Sequence, residues 1–422
     1  MSKIKIISIA VLCFWTSHSF AQWECRSHLA SNLKPLYKNS NLSWAAELEA
    51  SGGYLTNSYI GNGMAFLGAD LTFNRVQLYA EGAYKYWYNQ DIDLNETFTQ
   101  SRFGLRELSA SYFANNFNLR LGLHQIQTGD YFLMNERALG ASFNYSASNA
   151  KLVLATGTVT KDFSRNGIFC STAYIYDIVP TRTPSAGTDF GDTNFATFSF
   201  QKDLSHKPAK ASTSSNDEFE SFDEFTDFSE SSNGNPFGLA TYGGIIYSEF
   251  GSLYDNPLID LGLNTAINLG PIGTAKAEGI YQLANNNKAW LFYAQLAKEF
   301  QSKSGNLTTL QATYLAKHDI GESTASLPRF SNLFLGEVFR MDLVDLPLIN
   351  ASFKQQFTTK ELSLKLQYTQ QLKDEKMQEL DFSVGKFYIK KHLRLTAITG
   401  LMNSDDLNEW AKLARLEMRV FF

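Results

Sequence analysis

The feature that most constrains this chain is a period-two alternation of apolar and polar residues, recurring in strand-length stretches along most of its length. In LSLKLQYT, Leu362, Leu364, Leu366 and Tyr368 share one side, while Ser363, Lys365, Gln367 and Thr369 share the other. NLRLGLH sets Leu119, Leu121 and Leu123 against Asn118, Arg120 and His124. VQLYAEGAYKYW sets Val76, Leu78, Ala80, Tyr84 and Tyr86 against Gln77, Glu81 and Lys85, and DLGLNTAINL repeats the scheme. Successive side chains of a strand point to opposite faces, so this period demands sheet with one oily and one wet surface.

A soluble sandwich also alternates, and the connections separate the two cases. Very short turns at Asn74-Arg75, Asn115-Asn116, 146–149, 270–273, 303–306 and Lys390-Lys391 alternate with longer polar stretches at 89–101, 128–136, 161–192 and 318–348. That asymmetry is the mark of a transmembrane barrel, with tight turns at one rim and long loops at the other. The expected fold is therefore all-β, a single antiparallel transmembrane β-barrel of about 18 strands, with 16 as the alternative. An even count places both termini at the periplasmic rim, with every tight turn on that side.

The N-terminus fits an exported chain. Lys3 and Lys5 precede the apolar run 6–15, and Ser19-Phe20-Ala21 supplies small residues for cleavage after Ala21, so residues 1–21 read as a signal peptide. No later stretch offers some 18 consecutive apolar residues, so a membrane span must be built from strands over 43–422. Residues 22–42 read as a periplasmic or lumen-plugging segment. The net charge of −5 gives no reason to expect nucleic acid.

Residues 203–236 break the pattern. They are polar and acidic, without alternation, and strand parity puts them at the periplasmic rim. The plain reading is a disordered insertion. The sharper one uses Phe219, Phe222, Phe225 and Phe228, whose three-residue spacing forms a helical face for a periplasmic protein partner.

Catalysis finds little support. There is no Gly-x-Ser-x-Gly elbow and no HExxH, and no His, Cys and carboxylate cluster has metal-ligand spacing, so neither an enzyme nor a cofactor is expected. His124 and His392 fall on predicted lumen faces, where a polar wall residue is the ordinary reading. The remaining rival is a lipid-modifying barrel, which requires a His beside a Ser or acid near the membrane rim. Two cysteines follow the signal peptide. A Cys25–Cys170 disulfide requires residues 22–42 to run up the lumen, and free or intermolecular thiols are the alternative.

The predicted inward stripe carries the functional expectation. It includes Arg120, Lys365, Arg394, Arg415, Arg419, Glu81, Glu278 and Glu417, with Arg106 and Arg137 added and the register near Arg106-Glu107 left open. Mixed charges at a constriction sort solutes by charge and dipole, and an arginine cluster favours anions through bidentate contacts. The expected function is a passive or substrate-selective channel for small or anionic hydrophilic solutes, set in outer-membrane lipid. A plugged barrel that recruits a partner is the competing reading.

The stretch from Leu105 to Asp130 resembles alginate-export-like barrels and phosphate-selective porins. The resemblance rests on Arg106-Glu107, Leu119 to Gly122, Gln125 and Gly129-Asp130, about one sixteenth of the chain, in wording generic to large barrels. It implies an outer-membrane channel, and carries Arg106 and Arg120 over as lumen residues. The chain also ends in LEMRVFF, with Ala414, Leu416, Met418, Val420 and Phe422 on the oily side. A terminal aromatic of this kind resembles the signal that the barrel-assembly machinery reads on the closing strand.

Overall fold

The computed structural model describes the chain except residues 1–36, 39–40, 93–94, 128–132, 160–192, 205–236, 250–251, 285–286, 321–346, 373–376, 390–391 and 404–409. A two-residue bridge, β1 (Tyr37–Lys38), pairs with the first long strand. The long strands are β2 (Leu42–Leu55), β3 (Ser58–Phe73), β4 (Val76–Asp91), β5 (Glu96–Phe113), β6 (Phe117–Gln127), β7 (Asn135–Ala147), β8 (Ala150–Val159), β9 (Thr193–Asp203) and β10 (Phe237–Glu249). They continue as β11 (Leu258–Asn268), β12 (Thr274–Ala284), β13 (Asn287–Gln301), β14 (Leu307–Ile320), β15 (Leu348–Phe357), β16 (Leu362–Gln371), β17 (Gln378–Tyr388), β18 (Leu393–Asn403) and β19 (Ala411–Phe421).

Each of the 18 strands from β2 to β19 pairs antiparallel with its sequence neighbours, and β19 closes the ring on β2. The seam runs from Leu413 opposite Leu55 to Phe421 opposite Glu47, and the Phe422 N–H donates to the Ala46 carbonyl at 2.9 Å. Closure leaves no sheet edge, the condition for placing a sheet in hydrocarbon. The even count brings both ends of the barrel chain to one rim, called here the terminal end.

Alternation supplies the two faces. In β19, Ala411, Leu413, Arg415 and Glu417 are buried, while Leu416 is 69% exposed and Met418 and Phe422 also point outward. In β16, Gln367 and Thr369 are buried while Leu366 is exposed. The exposed large side chains, among them Leu67, Leu78, Leu108, Leu121, Leu154, Leu263, Phe292, Phe353 and Phe382, form an apolar outer surface. Towards the terminal end this surface carries aromatics such as Phe73, Tyr112, Phe117, Tyr145, Phe300, Tyr388 and Phe422. Tyr59, Phe98, Trp290 and Trp410 lie towards the other end, so two aromatic girdles flank an oily band.

The tight connections at Asn74-Arg75, Ser148-Asn149 and 302–306 all lie at the terminal end, and so do Asp203 and Phe237, the strand ends that flank the acidic segment. Asn74 takes a left-handed φ of 52°, which asparagine tolerates in a two-residue hairpin turn.

The region 89–101 corrects the expected long loop. Strand β4 continues to Asp91 and β5 begins at Glu96, with Asn89 opposite Phe98 and Tyr86 opposite Ser101. Near a rim both faces of a strand meet water, so polarity there does not mark a loop. Between 128 and 136 the strand likewise resumes earlier, at Asn135. The signal peptide, Cys25, Cys170 and Phe219, Phe222, Phe225 and Phe228 lie outside the described residues.

Candidate functional site

The inward wall divides along the barrel axis. From mid-height to the end away from the termini, the inward side chains combine a large apolar set with buried polar groups such as Asp260, Gln282, Asn350, Glu379 and Asp381. The apolar set includes Leu55, Ile60, Ile126, Val159, Phe195, Ile245, Leu291, Leu315, Leu348, Ile398, Met402 and Leu413, packed as one buried cluster. From mid-height towards the terminal end the same stripe carries charge.

The densest charged group lies where the sequence left the register open. A β-bulge interrupts the β4–β5 ladder: Glu81 pairs with Glu107, while Gly82 pairs with Leu105. The extra residue is Arg106. It lets two consecutive side chains face the lumen, Arg106 at 3% and Glu107 at 3% exposure, while Leu105 and Leu108 stay on the oily side. Arg106 Nη1 sits 3.0 Å from Glu81 Oε1, and its guanidinium lies over the Phe66 ring at 4.6 Å from the centroid. Tyr79 donates its hydroxyl to Glu81 as well. Glu107 accepts from Arg120 Nη2, and Arg120 Nε donates to Ser109 Oγ at 3.1 Å. Arg137, also buried, lies within electrostatic reach of Glu107, so three guanidinium groups and two carboxylates share one patch of wall.

A second group straddles the closing seam. Arg415 Nη2 is 2.8 Å from Glu417 Oε1, and Arg419 Nη2 is 3.4 Å from Glu49 Oε2. Arg394 is the register partner of Arg419, and its guanidinium lies 5.5 Å from the Phe387 ring centroid. Further round, Lys354 is the register partner of Lys365. Arg394, Arg419, Lys354 and Lys365 all stand within four residues of the terminal end of their strands. Acids share that rim: Glu47 and Glu49 lie within electrostatic reach of Arg394 and Arg419, and Glu299 of Lys354.

His124 is fully buried, with both ring nitrogens engaged: Nδ1 pairs with the Gly122 carbonyl at 2.9 Å and Nε2 with Ser142 Oγ at 2.8 Å. A His beside a Ser, which a lipid-modifying barrel requires near the membrane rim, is thus present on the lumen wall, three residues from the end of β6. His392 departs from the lumen position expected for it. It sits exposed in the connection before β18, with Nδ1 paired to the Phe421 carbonyl at 2.8 Å.

The expected lumen residues therefore fall into two clusters and a rim of mixed charge, with carboxylates beside four of the arginines. Glu49 was visible as an alternating acid beside Glu47, but its partner was not, because the β2–β19 pairing joins the two ends of the chain. Alternation puts Tyr79 on the stripe of Gln77 and Glu81, but its bond to Glu81 and the Phe66 contact with Arg106 had no sequence signal. Among the described residues no group of three or more His, Cys, Asp and Glu side chains is arranged to hold a metal ion.

One element also enters the lumen. Leu133 and Met134 belong to the β6–β7 connection, yet both are buried, and Leu133 touches the inner wall at Gly243 of β10 and Gly262 of β11. Those strands lie three and four places beyond β7 round the ring. Leu133 and Met134 thus lie inside the barrel.

An even, closed antiparallel barrel with an oily outer band and a charged interior is the architecture of a bacterial outer-membrane β-barrel. Comparison with solved structures finds the same fold. The BenF-like porin of Pseudomonas fluorescens Pf-5 is similar at 10% identity and a TM-score of 0.54, covering 90% of this chain and 98% of that one. OccAB1 of Acinetobacter baumannii matches at 10% identity and a TM-score of 0.54, over 94% and 99% of the two chains. OccD3 (OpdP) of Pseudomonas aeruginosa matches at 10% identity and a TM-score of 0.52, over 96% and 98%. No family model and no curated protein sequence matches.

Proposed function

We propose that this protein is an outer-membrane channel that passes small hydrophilic solutes, anionic ones included, without catalysis. The observation that carries the reading is the inward stripe of the closed ring. It bears ion pairs at mid-height and four basic side chains, Lys354, Lys365, Arg394 and Arg419, near the terminal mouth. A structural barrel needs no such lining, whereas a passage uses charges fixed on a rigid wall to order water and sort solutes. The likeness to a BenF-like porin supports the same reading at the level of fold.

Paired carboxylates hold the mid-height arginines in place and offset much of their charge. The like-charged register pair Lys354 and Lys365 is where an anion gains most. Planar-bilayer recording of the purified, folded protein tests this. Stepwise conductance is expected, and Lys354→Glu combined with Lys365→Glu should move the reversal potential towards cation preference. A folded barrel that gives no conductance steps would overturn the channel reading.

A further inference from the structure

We infer that Leu133 is the residue that fixes the narrow part of the lumen, by lodging its side chain in a notch formed by Gly243 and Gly262. The inference rests on the channel reading above and adds to it the side chain that shapes the passage. Gly243 and Gly262 are register partners on β10 and β11, so their missing side chains leave one continuous hollow on the inner wall. A Cβ placed on Gly262 would lie 2.9 Å from Leu133 Cδ1 and 3.4 Å from its Cγ, and the next atom, Glu278 Oε1, is 3.6 Å away. A Cβ on Gly243 would lie 3.3 Å from the same Cδ1.

Neither glycine is among those with positive φ, so backbone conformation does not call for them. At Gly262 the tight contact is with Leu133. The hollow is therefore fitted to a side chain delivered from another part of the ring. Leu133 is 1% exposed and Met134 is fully buried, although both belong to a connection between strands, where side chains are usually solvated. Apolar packing gives the reason: Leu133, Met134, Ile245 and Tyr247 belong to the same buried cluster. Water there is replaced by leucine, and the cross-section left for solutes is what remains beside it.

The geometry also fixes which wall a solute meets. Leu133 occupies the β10–β11 side, where Thr197, Ser199 and Thr241 are small and uncharged while Asp260 and Glu278 are buried acids. The ion pairs of β4–β6 and of the β18–β19–β2 seam lie on other parts of the ring. The anchor thus takes its space on the β10–β11 side, away from the arginine groups.

The test uses the full-length barrel with Cys25→Ser, Cys170→Ser and Met134→Cys, and reads modification by a charged methanethiosulfonate reagent together with single-channel conductance. Gly262→Val fills the notch, and Leu133→Ala empties it. Each should speed thiol modification roughly tenfold, as expected when a local opening no longer breaks the contacts of one buried leucine. Each should also raise the conductance. Combining the two should give no further increase, because both remove one contact. Gly279→Val is the control, since a Cβ at Gly279 meets nothing within 4 Å. Unchanged modification in both variants would overturn the anchor, and faster modification with unchanged conductance would overturn its role in setting the passage. If the parent protein does not conduct, the channel reading fails while thiol modification still reports the anchor.

Discussion

At the scale of single residues, the wall is built from charges that hold one another. Arg106 shows the logic: almost fully buried, it has the Glu81 carboxylate on one side and the Phe66 ring under its guanidinium plane. Removing one member of such a pair strands the other in a poorly solvated site, which costs about 3–5 kcal/mol, whereas replacing both with groups of similar shape costs far less. Arg106→Ala should therefore lower the urea midpoint of the detergent-folded barrel clearly. Glu81→Gln combined with Arg106→Met should recover most of the loss, and equal loss in both proteins would show that the pair is not the relevant unit. The sequence offered Arg106, Arg120 and Glu81 as lumen residues from alternation alone. It did not offer the pairing, because Glu81, Arg106 and Glu107 meet only through a bulge whose register alternation does not specify.

At the scale of elements, the bulge and the closing strand each invite a test. Deleting a residue from regular strand turns everything beyond it to the wrong face. Strand β5 already carries one residue in excess at Arg106-Glu107, so deleting Glu107 should give plain alternation opposite Glu81 and a folded barrel. Deleting Ala83 from the regular part of β4 should not fold. Heat-modifiable gel mobility distinguishes the two, and an unfolded Glu107 deletion would contradict the bulge assignment. On β19, Leu416 faces lipid near the middle of its strand, so Leu416→Lys should destabilise by about 2–4 kcal/mol in bilayers. Lys412→Leu, nearer the rim, should cost little by the same denaturant titration. The terminal residue separates assembly from stability. Phe422 contributes one backbone hydrogen bond to Ala46 and an outward ring, so deleting it should barely change refolding in detergent. In cells the same deletion should reduce assembled barrel in the outer membrane, if the assembly machinery reads that aromatic.

At the scale of the whole molecule, parity fixes sidedness. Tyr254, 89% exposed, lies in the β10–β11 connection at the end away from the termini, and exposed Lys360 lies in the β15–β16 turn at the terminal end. In a Cys25→Ser, Cys170→Ser background, Tyr254→Cys should react with an impermeant maleimide on intact cells. Lys360→Cys should react only after the outer membrane is opened, and the reverse result would invert the orientation.

Much of this molecule was legible in the chain. The period-two pattern, the tight turns and the even count lead to a closed antiparallel barrel, because a strand's two faces and a turn's length are local properties. The inward identity of Arg120, Lys365, Arg394, Arg415, Arg419, Glu81 and Glu417 follows in the same way. Tertiary structure alone decided which inward residues meet. Glu49 reaches Arg419 because the ring closes end to end, and Leu133 reaches Gly262 across the inside of the barrel. Those contacts depend on the register and curvature of the closed wall, which bring together residues that lie far apart along the chain.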